Sequence, residues 1–281
     1  MDFKTIKFEL RDNGIGIISL NRPEKLNAIN FKMEEELHSV LDSLITNLDC
    51  RVVIFRGEGR AFCAGTDLQE GSMLNVKKVP EGYENIYFLD VSETLKKKIY
   101  HQWHISQIFV KMRKISQPII AIVQGAAAGG GFGFAMASDF RIIADDVKFI
   151  NASINIGLTG ADVGGSYFLP RLIGLSRAAE ILYTGREVNA DEAIEIGLAI
   201  KKVSMAQLLD TALELAENLL KKSPLGLRLT KQAINLSMDA PSLETILQLE
   251  NNGIILSFSS KDVNEASTAF FQKKEPKYPL K

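Results

Sequence analysis

Three consecutive glycines, Gly129, Gly130 and Gly131, restrict the possible folds of this chain more than any other feature. They follow the apolar run 118–123, which predicts a buried strand that passes directly into a helix. Because glycine has no Cβ, the backbone at this junction can approach a ligand closely, and the helix N-terminus offers it partial positive charge. A similar turn, 62–68, follows the apolar run 52–55. These first (62–68) and second (125–133) glycine turns predict an α/β fold in which backbone N–H groups converge on developing negative charge.

Other uses of glycine-rich turns fit this chain less well. Small residues also permit close packing of a helix on a sheet, and a single such turn would not distinguish packing from binding. Two turns in one chain favour binding. A phosphate-binding loop is excluded because no Gly-Lys-Ser or Gly-Lys-Thr ends the glycine run, and the dinucleotide fingerprint requires a glycine where Met136 stands.

Hydrophobic periodicity predicts the remaining architecture. Alternating apolar residues over 5–10 and 16–20 predict two strands joined by a hairpin turn at 11–14. A further buried strand is predicted over 140–144. Helical spacing predicts helices over 33–44, 99–112, 205–221, 225–238 and 243–258, with an almost wholly helical pattern from residue 178 onward. The polar segment 71–95 between these elements is predicted to be a loop that forms one wall of a pocket.

Composition excludes several classes of function. The 33 basic and 34 acidic residues give a formal net charge of -1, so no long-range field favours nucleic acid or an anionic membrane. The two cysteines, Cys50 and Cys63, lack metal-ligand spacing, which argues against a disulfide scaffold or a zinc site. Neither a secretory leader nor an apolar run of membrane-spanning length is present, and we expect a cytoplasmic protein.

The three histidines do not predict a hydrolase triad. His38, His101 and His104 lie in helical patterns, and no Gly-x-Ser-x-Gly motif supplies a nucleophile. His101 and His104 could line a pocket, but packing or surface exposure is the favoured role.

Several motifs in order along the chain resemble one family. Residues 21–28 (Asn-Arg-Pro-Glu-Lys-Leu-Asn-Ala) resemble the N-terminal signature of the enoyl-CoA hydratase/isomerase (crotonase) family. The two glycine turns, the segment 156–174 and the tripeptide 184–186 resemble later motifs, so the similarity covers nearly the whole chain. The resemblance implies a β-β-α spiral core over 1–200, which binds acyl-CoA and carries the catalytic site. It also implies a C-terminal helical region over 201–281 for oligomerisation and completion of the CoA site.

The same resemblance implies ligands, partners and site residues. The substrate would be an acyl-CoA thioester, with no metal and no cofactor besides the CoA of the substrate itself, in a homotrimer or a dimer of trimers. The backbone N–H groups of Thr66 and Gly130 would bind the thioester oxygen as it becomes an enolate. The expected contacts with CoA are Ala64, Asp67 and Leu68 at the adenine, Lys25 on its opposite side, and Phe270 and Lys273 near the nucleotide end.

The acid/base groups depart from the family pattern. Typical enoyl-CoA hydratases carry two glutamates, and the corresponding positions here are Gly133 and Ser153. Glycine cannot transfer a proton, and an unassisted serine hydroxyl is a poor general base. Asp162 remains, at a position where dienoyl-CoA isomerases and dehalogenase-like members carry a catalytic aspartate. Without the resemblance, a helix N-cap would be the favoured role of Asp162.

We therefore predict an acyl-CoA enzyme that hydrates or isomerises a double bond with Asp162 as acid/base. Two alternatives stay open at this point. One is a dehalogenase-like or hydrolase-like enzyme that uses Asp162, and the other is a CoA-thioester-binding homologue with weakened catalysis.

Overall fold

A computed structural model describes residues 3–68 and 90–278 of the chain. Its strands are β1 (Ile6–Leu10), β2 (Ile15–Leu20), β3 (Val52–Gly57), β4 (Ile119–Val123), β5 (Ala126–Ala128), β6 (Phe140–Ala144), β7 (Lys148–Ile150), β8 (Glu187–Asn189) and β9 (Lys201–Val203). Its α-helices are α1 (Phe31–Thr46), α2 (Glu93–Lys114), α3 (Gly130–Ala137), α4 (Ala152–Asn155), α5 (Gly165–Ile173), α6 (Leu175–Thr184), α7 (Ala190–Glu195), α8 (Leu208–Leu220), α9 (Pro224–Ser237), α10 (Leu243–Phe258) and α11 (Lys261–Phe271). The predicted α/β class is confirmed.

The main sheet has six strands in the order β1-β2-β3-β4-β6-β9. The predicted N-terminal hairpin is present, with β1 antiparallel to β2 and a turn closed by Gly14 N–H donating to the Arg11 carbonyl. All later pairings in this sheet are parallel. A second sheet, β5-β7-β8, begins with the strand that enters the second glycine turn. Strand ends and helix starts therefore meet along one edge, as parallel β-α units require.

The core lies on both faces of the main sheet because side chains of a strand alternate in direction. Val53 and Phe55 of β3 face a cluster that includes side chains of α1, α2 and α3. Val52 and Ile54 face the opposite way, toward Leu208, Ala212 and Ala216 of α8. The sheet is thus covered by helices on both faces, which explains why its central strands are continuously apolar rather than alternating.

The boundary predicted at residue 200 falls just before β9, and it stays a prediction. Strand β9 pairs with β6 in the main sheet, and α8 packs against that sheet through buried Ala212 and Ala216. The first elements after residue 200 therefore contact the sheet. The almost wholly helical pattern predicted after residue 178 is interrupted by β8 and β9. These strands have only three residues each, which is too short for a period-2 signal.

The C-terminal helices expose an unusual amount of apolar surface. Lys231 of α9 joins them to the core, donating to the Gln117 carbonyl at 2.7 Å and pairing with Asp139 at 2.8 Å. Side chains such as Leu243, Phe258 and Phe271 are 73–82% exposed. Most of the predicted loop 71–95 lies outside the described residues, but α2 begins at Glu93 with Ser92 as its N-cap.

Candidate functional site

The two glycine turns are in direct contact. Cys63 and Ala127 form a parallel bridge, in which Cys63 N–H donates to the Ala126 carbonyl at 3.0 Å and Ala128 N–H donates to the Cys63 carbonyl at 2.9 Å. Gly65 has a φ of +92°, and a Cβ there would lie 2.9 Å from the Ala128 carbonyl oxygen. Gly129, with a φ of +49°, would place its own Cβ 3.9 Å from Gly65 Cα. Glycine is therefore required where the turns meet, because side chains would separate them.

Hydrogen bonds to Ile29 orient the backbone of Thr66. Ile29 N–H donates to the Gly65 carbonyl at 2.8 Å, and Asp67 N–H donates to the Ile29 carbonyl at 2.8 Å. In such a parallel bridge, the N–H of the central residue, Thr66, points away from Ile29. Gly130 is the first residue of α3, so its N–H has no partner within the helix. The Ile29 side chain also covers Gly130, because its Cδ1 atom lies 2.6 Å from where a Cβ on Gly130 would be. Ile29 therefore contacts both Thr66 and Gly130, the residues of the two predicted N–H donors.

A buried ion pair holds the first glycine turn from behind. Arg22 Nη1 donates to Asp67 Oδ2 at 3.0 Å and to the Ala28 carbonyl at 2.6 Å, and both charged side chains are buried. Asn27, fully buried and with a φ of +54°, accepts from Arg22 N–H and donates to the Ala61 carbonyl. The Asp67 carboxylate therefore lies inside the protein and fixes the turn that carries Thr66. The contact of Asp67 with CoA adenine stays a prediction.

The other predicted CoA contacts lie at the surface. Leu68 is 70% exposed and Ala64 is half-buried, and Ala64 N–H donates to the Leu26 carbonyl beside exposed Lys25. The structure thus brings Lys25 and Ala64 onto neighbouring segments. Phe270 and Lys273 lie exposed at the end of α11, and their contact with CoA stays a prediction.

The structure leaves no room for a side chain at Gly133, where the family resemblance led us to expect a glutamate in typical hydratases. A Cβ on Gly133 would lie 2.7 Å from Phe109 Cε1 and 2.9 Å from the Val163 carbonyl oxygen. Contacts this short with ring and backbone atoms exclude any side chain unless the neighbours shift. The ring of Phe109, on α2, thus occupies the space in which an acid at this position would begin.

Three hydrogen-bond donors converge on the carboxylate of Asp162. Ser153 Oγ donates to Oδ2 at 3.0 Å, and Gln102 Nε2 and Val163 N–H donate to Oδ1 at 2.7 Å and 2.8 Å. We call Asp162, Ser153 and Gln102 the Asp162 cluster. The helix-cap alternative is not what the structure contains, since the N-cap of α5 is Gly164 and it has no side-chain cap. The carboxylate instead lies between α2, α4 and the start of α5 and accepts hydrogen bonds from them.

Strained backbone places the Asp162 cluster next to α3. Val163 has a φ of +46°, a conformation that is a genuine outlier for a β-branched residue. Such strain is concentrated at functional sites. The carbonyl of Val163 is the group that approaches Gly133, one turn of α3 after Gly130. Asp162 therefore lies beside the helix whose N-terminus supplies one of the predicted oxyanion donors.

Sequence reasoning missed a buried group of histidines beside these turns. His101 Nε2 and His104 Nδ1 each lie 2.9 Å from one carboxylate oxygen of fully buried Glu34. Burial opposes ionisation of Glu34, but the hydrogen bonds from both imidazoles outweigh it and hold the pKa of Glu34 below its ordinary value. The three-residue spacing of His101 and His104 indicated that they share one face of a helix. Nothing in the neighbouring sequence indicated that their common partner is Glu34 on α1.

His101 belongs to the face of α2 that reaches the second glycine turn. Ile105, one turn later, lies 3.9 Å from the place of a Gly130 Cβ, and Phe109 follows at Gly133. Gln102, which was also missed, extends from this helix to Asp162. No sequence signal could have identified Gln102, because its partner lies 60 residues away.

Residues 3–68 and 90–278 contain no group of three or more His, Cys, Asp or Glu side chains that could hold a metal ion. None of the helices in these ranges combines the length and apolar character needed to cross a membrane.

Comparisons with known proteins agree with this geometry. The family model for enoyl-CoA hydratase/isomerase matches residues 10–280. A relative from Mycobacterium bovis named "Probable enoyl-CoA hydratase" is 36% identical over 93% of this chain and 88% of its own length. The 1,2-epoxyphenylacetyl-CoA isomerase of Escherichia coli is 32% identical over 95% of both chains. An enoyl-CoA hydratase structure from Bacillus anthracis superposes with a TM-score of 0.87 at 32% identity, covering 99% of this chain and all of its own. Because the family model spans nearly the whole sequence and the fold agrees with solved members, this chain belongs to the enoyl-CoA hydratase/isomerase family.

Proposed function

We propose that this acyl-CoA enzyme forms a thioester enolate, which the backbone N–H groups of Thr66 and Gly130 stabilise, and that Asp162 is its acid/base. The observation that carries the proposal is the Asp162 carboxylate, which accepts a hydrogen bond from the Ser153 hydroxyl. Gly133 cannot supply an alternative acid, because Phe109 and the Val163 carbonyl fill the space next to it.

The chemistry begins with removal of a proton from the acyl chain. As the C–H bond breaks, its electron pair moves toward the thioester carbonyl, and negative charge builds on the oxygen. Two preorganised N–H donors and the N-terminus of α3 stabilise that charge without having to reorient, which is where the largest catalytic gain is expected. Asp162 accepts the proton, and its three donors keep the carboxylate in one position during the transfer.

A single carboxylate accounts most simply for movement of a double bond. The same group can take a proton from one carbon and return it to another, so isomerisation needs no second acid. Hydration requires in addition that water reach Cβ, and Asp162 would have to activate that water before protonating Cα. Isomerisation and hydration both remain within the proposal.

Direct nucleophilic attack by Asp162 is a weaker second candidate. Both carboxylate oxygens already accept hydrogen bonds, which withdraw electron density from a prospective nucleophile. The aromatic residue that the dehalogenase resemblance implies near position 153 is replaced by Ser153.

The partners of the proposed enzyme follow the family pattern. We propose that no further cofactor takes part and that the CoA portion of the substrate is contacted by Lys25, Ala64, Asp67, Leu68, Phe270 and Lys273. The exposed apolar faces of α9 to α11 support assembly into a homotrimer or a dimer of trimers. We propose the cytoplasm as the location.

A substrate panel with one matched pair of variants tests the assignment. Crotonyl-CoA and longer 2-enoyl-CoAs report hydration, and 3-enoyl-CoAs and dienoyl-CoAs report isomerisation. Asp162→Asn is expected to lower turnover of the accepted substrate by about 10²- to 10⁴-fold while thioester binding changes little. Asp210→Asn, on an exposed turn of α8, makes the same chemical change outside the site and serves as the control.

The outcomes distinguish the alternatives. Full activity of Asp162→Asn would show that another group transfers the proton. Tight thioester binding without turnover of any panel member would favour a binding homologue with weakened catalysis, and failure to bind any acyl-CoA would contradict the CoA assignment itself.

A further inference from the structure

A cavity of about 790 Å³ opens beside the Asp162 cluster, between α2, α5 and α9. Ser106 lines it one turn of α2 after Gln102, and Gly164 lines it two residues after Asp162. Phe109, the residue that fills the space at Gly133, forms part of the same wall. Ser106 and Gly164 are thus the lining residues that follow Gln102 and Asp162 most closely along the chain.

The body of the cavity is apolar. Its lining includes the side chains of Phe109, Val110, Ile115, Phe168, Leu236 and Met238. The length of the wall follows from helix geometry, since Gln102 and Arg113 are about three turns apart on α2, or about 16 Å. An extended chain of roughly a dozen carbons spans that distance. The cavity volume of about 790 Å³ lies within the range typical of ligand pockets, so the cavity is large enough to hold such a chain.

The far part of the cavity is cationic. Four basic side chains line it, namely Arg113, Lys114, Arg228 and Lys231. Asp239 is the one acidic residue among the described lining residues. Asp239 is already engaged, accepting from Tyr167 Oη at 2.8 Å and pairing with Arg171 at 3.4 Å. The cavity wall therefore offers positive charge with little acid to neutralise it.

The basic residues of this wall are incompletely compensated. Arg113 and Lys231 share a single carboxylate, that of Asp139, at 2.9 Å and 2.8 Å. Arg228 is half-buried and has no hydrogen bond or ion pair with any residue in the described ranges. A half-buried guanidinium without a partner, in a cavity with an apolar body, is suited to bind an oxygen anion that enters on an apolar chain.

We propose that this cavity binds the distal part of a long acyl chain and that Arg228 binds a carboxylate or another anionic group at its end. The inference rests on the proposed function, because it extends the acyl site beyond Asp162. It assigns the substrate class as long-chain thioesters with an anionic terminus rather than short, purely alkyl thioesters.

Calorimetric titration with three thioesters tests the proposal: butyryl-CoA, dodecanoyl-CoA and the mono-CoA thioester of dodecanedioic acid. The anionic thioester is expected to bind at least tenfold more tightly than dodecanoyl-CoA, and Arg228→Gln is expected to remove that preference. Arg177→Gln makes the same change on an exposed helix position outside the cavity and is expected to preserve it. Val110→Trp, which fills the cavity from α2, is expected to weaken binding of both long thioesters at least tenfold.

The butyryl-CoA titration distinguishes failure of the proposed function from failure of this inference. If butyryl-CoA does not bind, the proposed function fails. If butyryl-CoA binds but the anionic thioester shows no preference, or the preference survives Arg228→Gln, only this inference is overturned. Binding of free dodecanedioate with the same dependence on Arg228, without any such dependence for the thioester, would also overturn it, because the cavity would then be a separate anion site.

Discussion

The two glycine turns are held together by backbone hydrogen bonds and close glycine contacts, whereas the Asp162 carboxylate is held by two side chains and one backbone N–H. A Cβ on Gly65 would meet the backbone carbonyl of Ala128, which no rotamer change can move. Gln102, by contrast, is exposed on α2, and Asp162 is half-buried. The oxyanion part of the proposed site therefore uses backbone donors, and the proton-transfer part can be changed by single polar substitutions. Such a division allows one scaffold to support different reactions on acyl-CoA thioesters.

The largest expected effect comes from disturbing the contact between the turns. Gly65→Ala places a Cβ 2.9 Å from the Ala128 carbonyl oxygen at a φ of +92°. We expect turnover to fall by about 10²- to 10³-fold, the effect of losing an oxyanion donor, with destabilisation of about 2–3 kcal/mol. Steady-state kinetics and urea denaturation measure the two effects.

Gly197→Ala is the matched control for this substitution. Gly197 has a φ of +77° but no atom within 4 Å of its missing Cβ. The control is expected to lose about 1 kcal/mol of stability and no activity. Equal activity losses in the two variants would mean that the turn contact has no special role.

The next effect concerns the ion pair behind the first glycine turn. Asp67→Asn removes the carboxylate charge that pairs with the buried Arg22 guanidinium, and we expect a loss of about 3 kcal/mol of stability. Because Asp67 N–H also belongs to the segment that orients Thr66, kcat is expected to fall about tenfold while KM stays within about threefold. The split between kcat and KM is the informative readout.

Asp42→Asn provides the comparison for Asp67. Asp42 pairs with Lys111 at the surface and is about half exposed, so its loss is expected to change stability by less than about 1 kcal/mol. An Asp67 variant that is destabilised but keeps its full kcat would mean that the ion pair supports the fold and not the turn.

Loss of one donor from the Asp162 cluster should have a smaller effect. Gln102→Ala removes the hydrogen bond to Oδ1 but leaves Ser153 and Val163 N–H in place. We expect kcat to fall about five- to tenfold with a stability change below about 0.5 kcal/mol, because the side chain is exposed. Gln107→Ala alters the same helix at a residue without a hydrogen bond in the described ranges, and unchanged kcat is expected there.

The smallest effect on activity is expected for a pH dependence of stability that should be independent of both regions. Burial, together with the neighbouring His104, lowers the pKa of His38 from 6.5 to about 4. The folded protein therefore keeps His38 neutral at pH values where the unfolded chain is already protonated. The free energy of unfolding should fall as pH decreases from 6.5 toward 4, by about 1–2 kcal/mol when the partial exposure of His38 is taken into account.

His38→Gln is the variant that tests this dependence. It is expected to reduce the slope between pH 6.5 and pH 4 in urea denaturation, while the stability above pH 7 changes less. An identical slope in wild type and variant would assign the acid sensitivity to other groups.

The same contrast between backbone and side chains explains what could be predicted from sequence. The glycine turns were predictable because their chemistry resides in local backbone, and the strands that lead into them have strong apolar patterns. The ion pair of Asp67 was not predictable, since its partner Arg22 lies 45 residues away. His101 and His104 were expected at the surface or in packing, and their burial depends on Glu34 in another helix. The strands β8 and β9 were not predicted, because three-residue strands leave no periodic signal.

Exchange of the α-protons of butyryl-CoA in D₂O tests the central claim most directly, because it detects enolate formation whether the enzyme isomerises or hydrates. Nuclear magnetic resonance measures the loss of the α-proton signal. Wild type is expected to catalyse the exchange, and its rate is expected to fall at least about 10²-fold in Asp162→Asn and in Gly65→Ala. The exchange rate should be normal in Asp210→Asn and Gly197→Ala. Unchanged exchange in Asp162→Asn, with butyryl-CoA bound, would contradict the central claim.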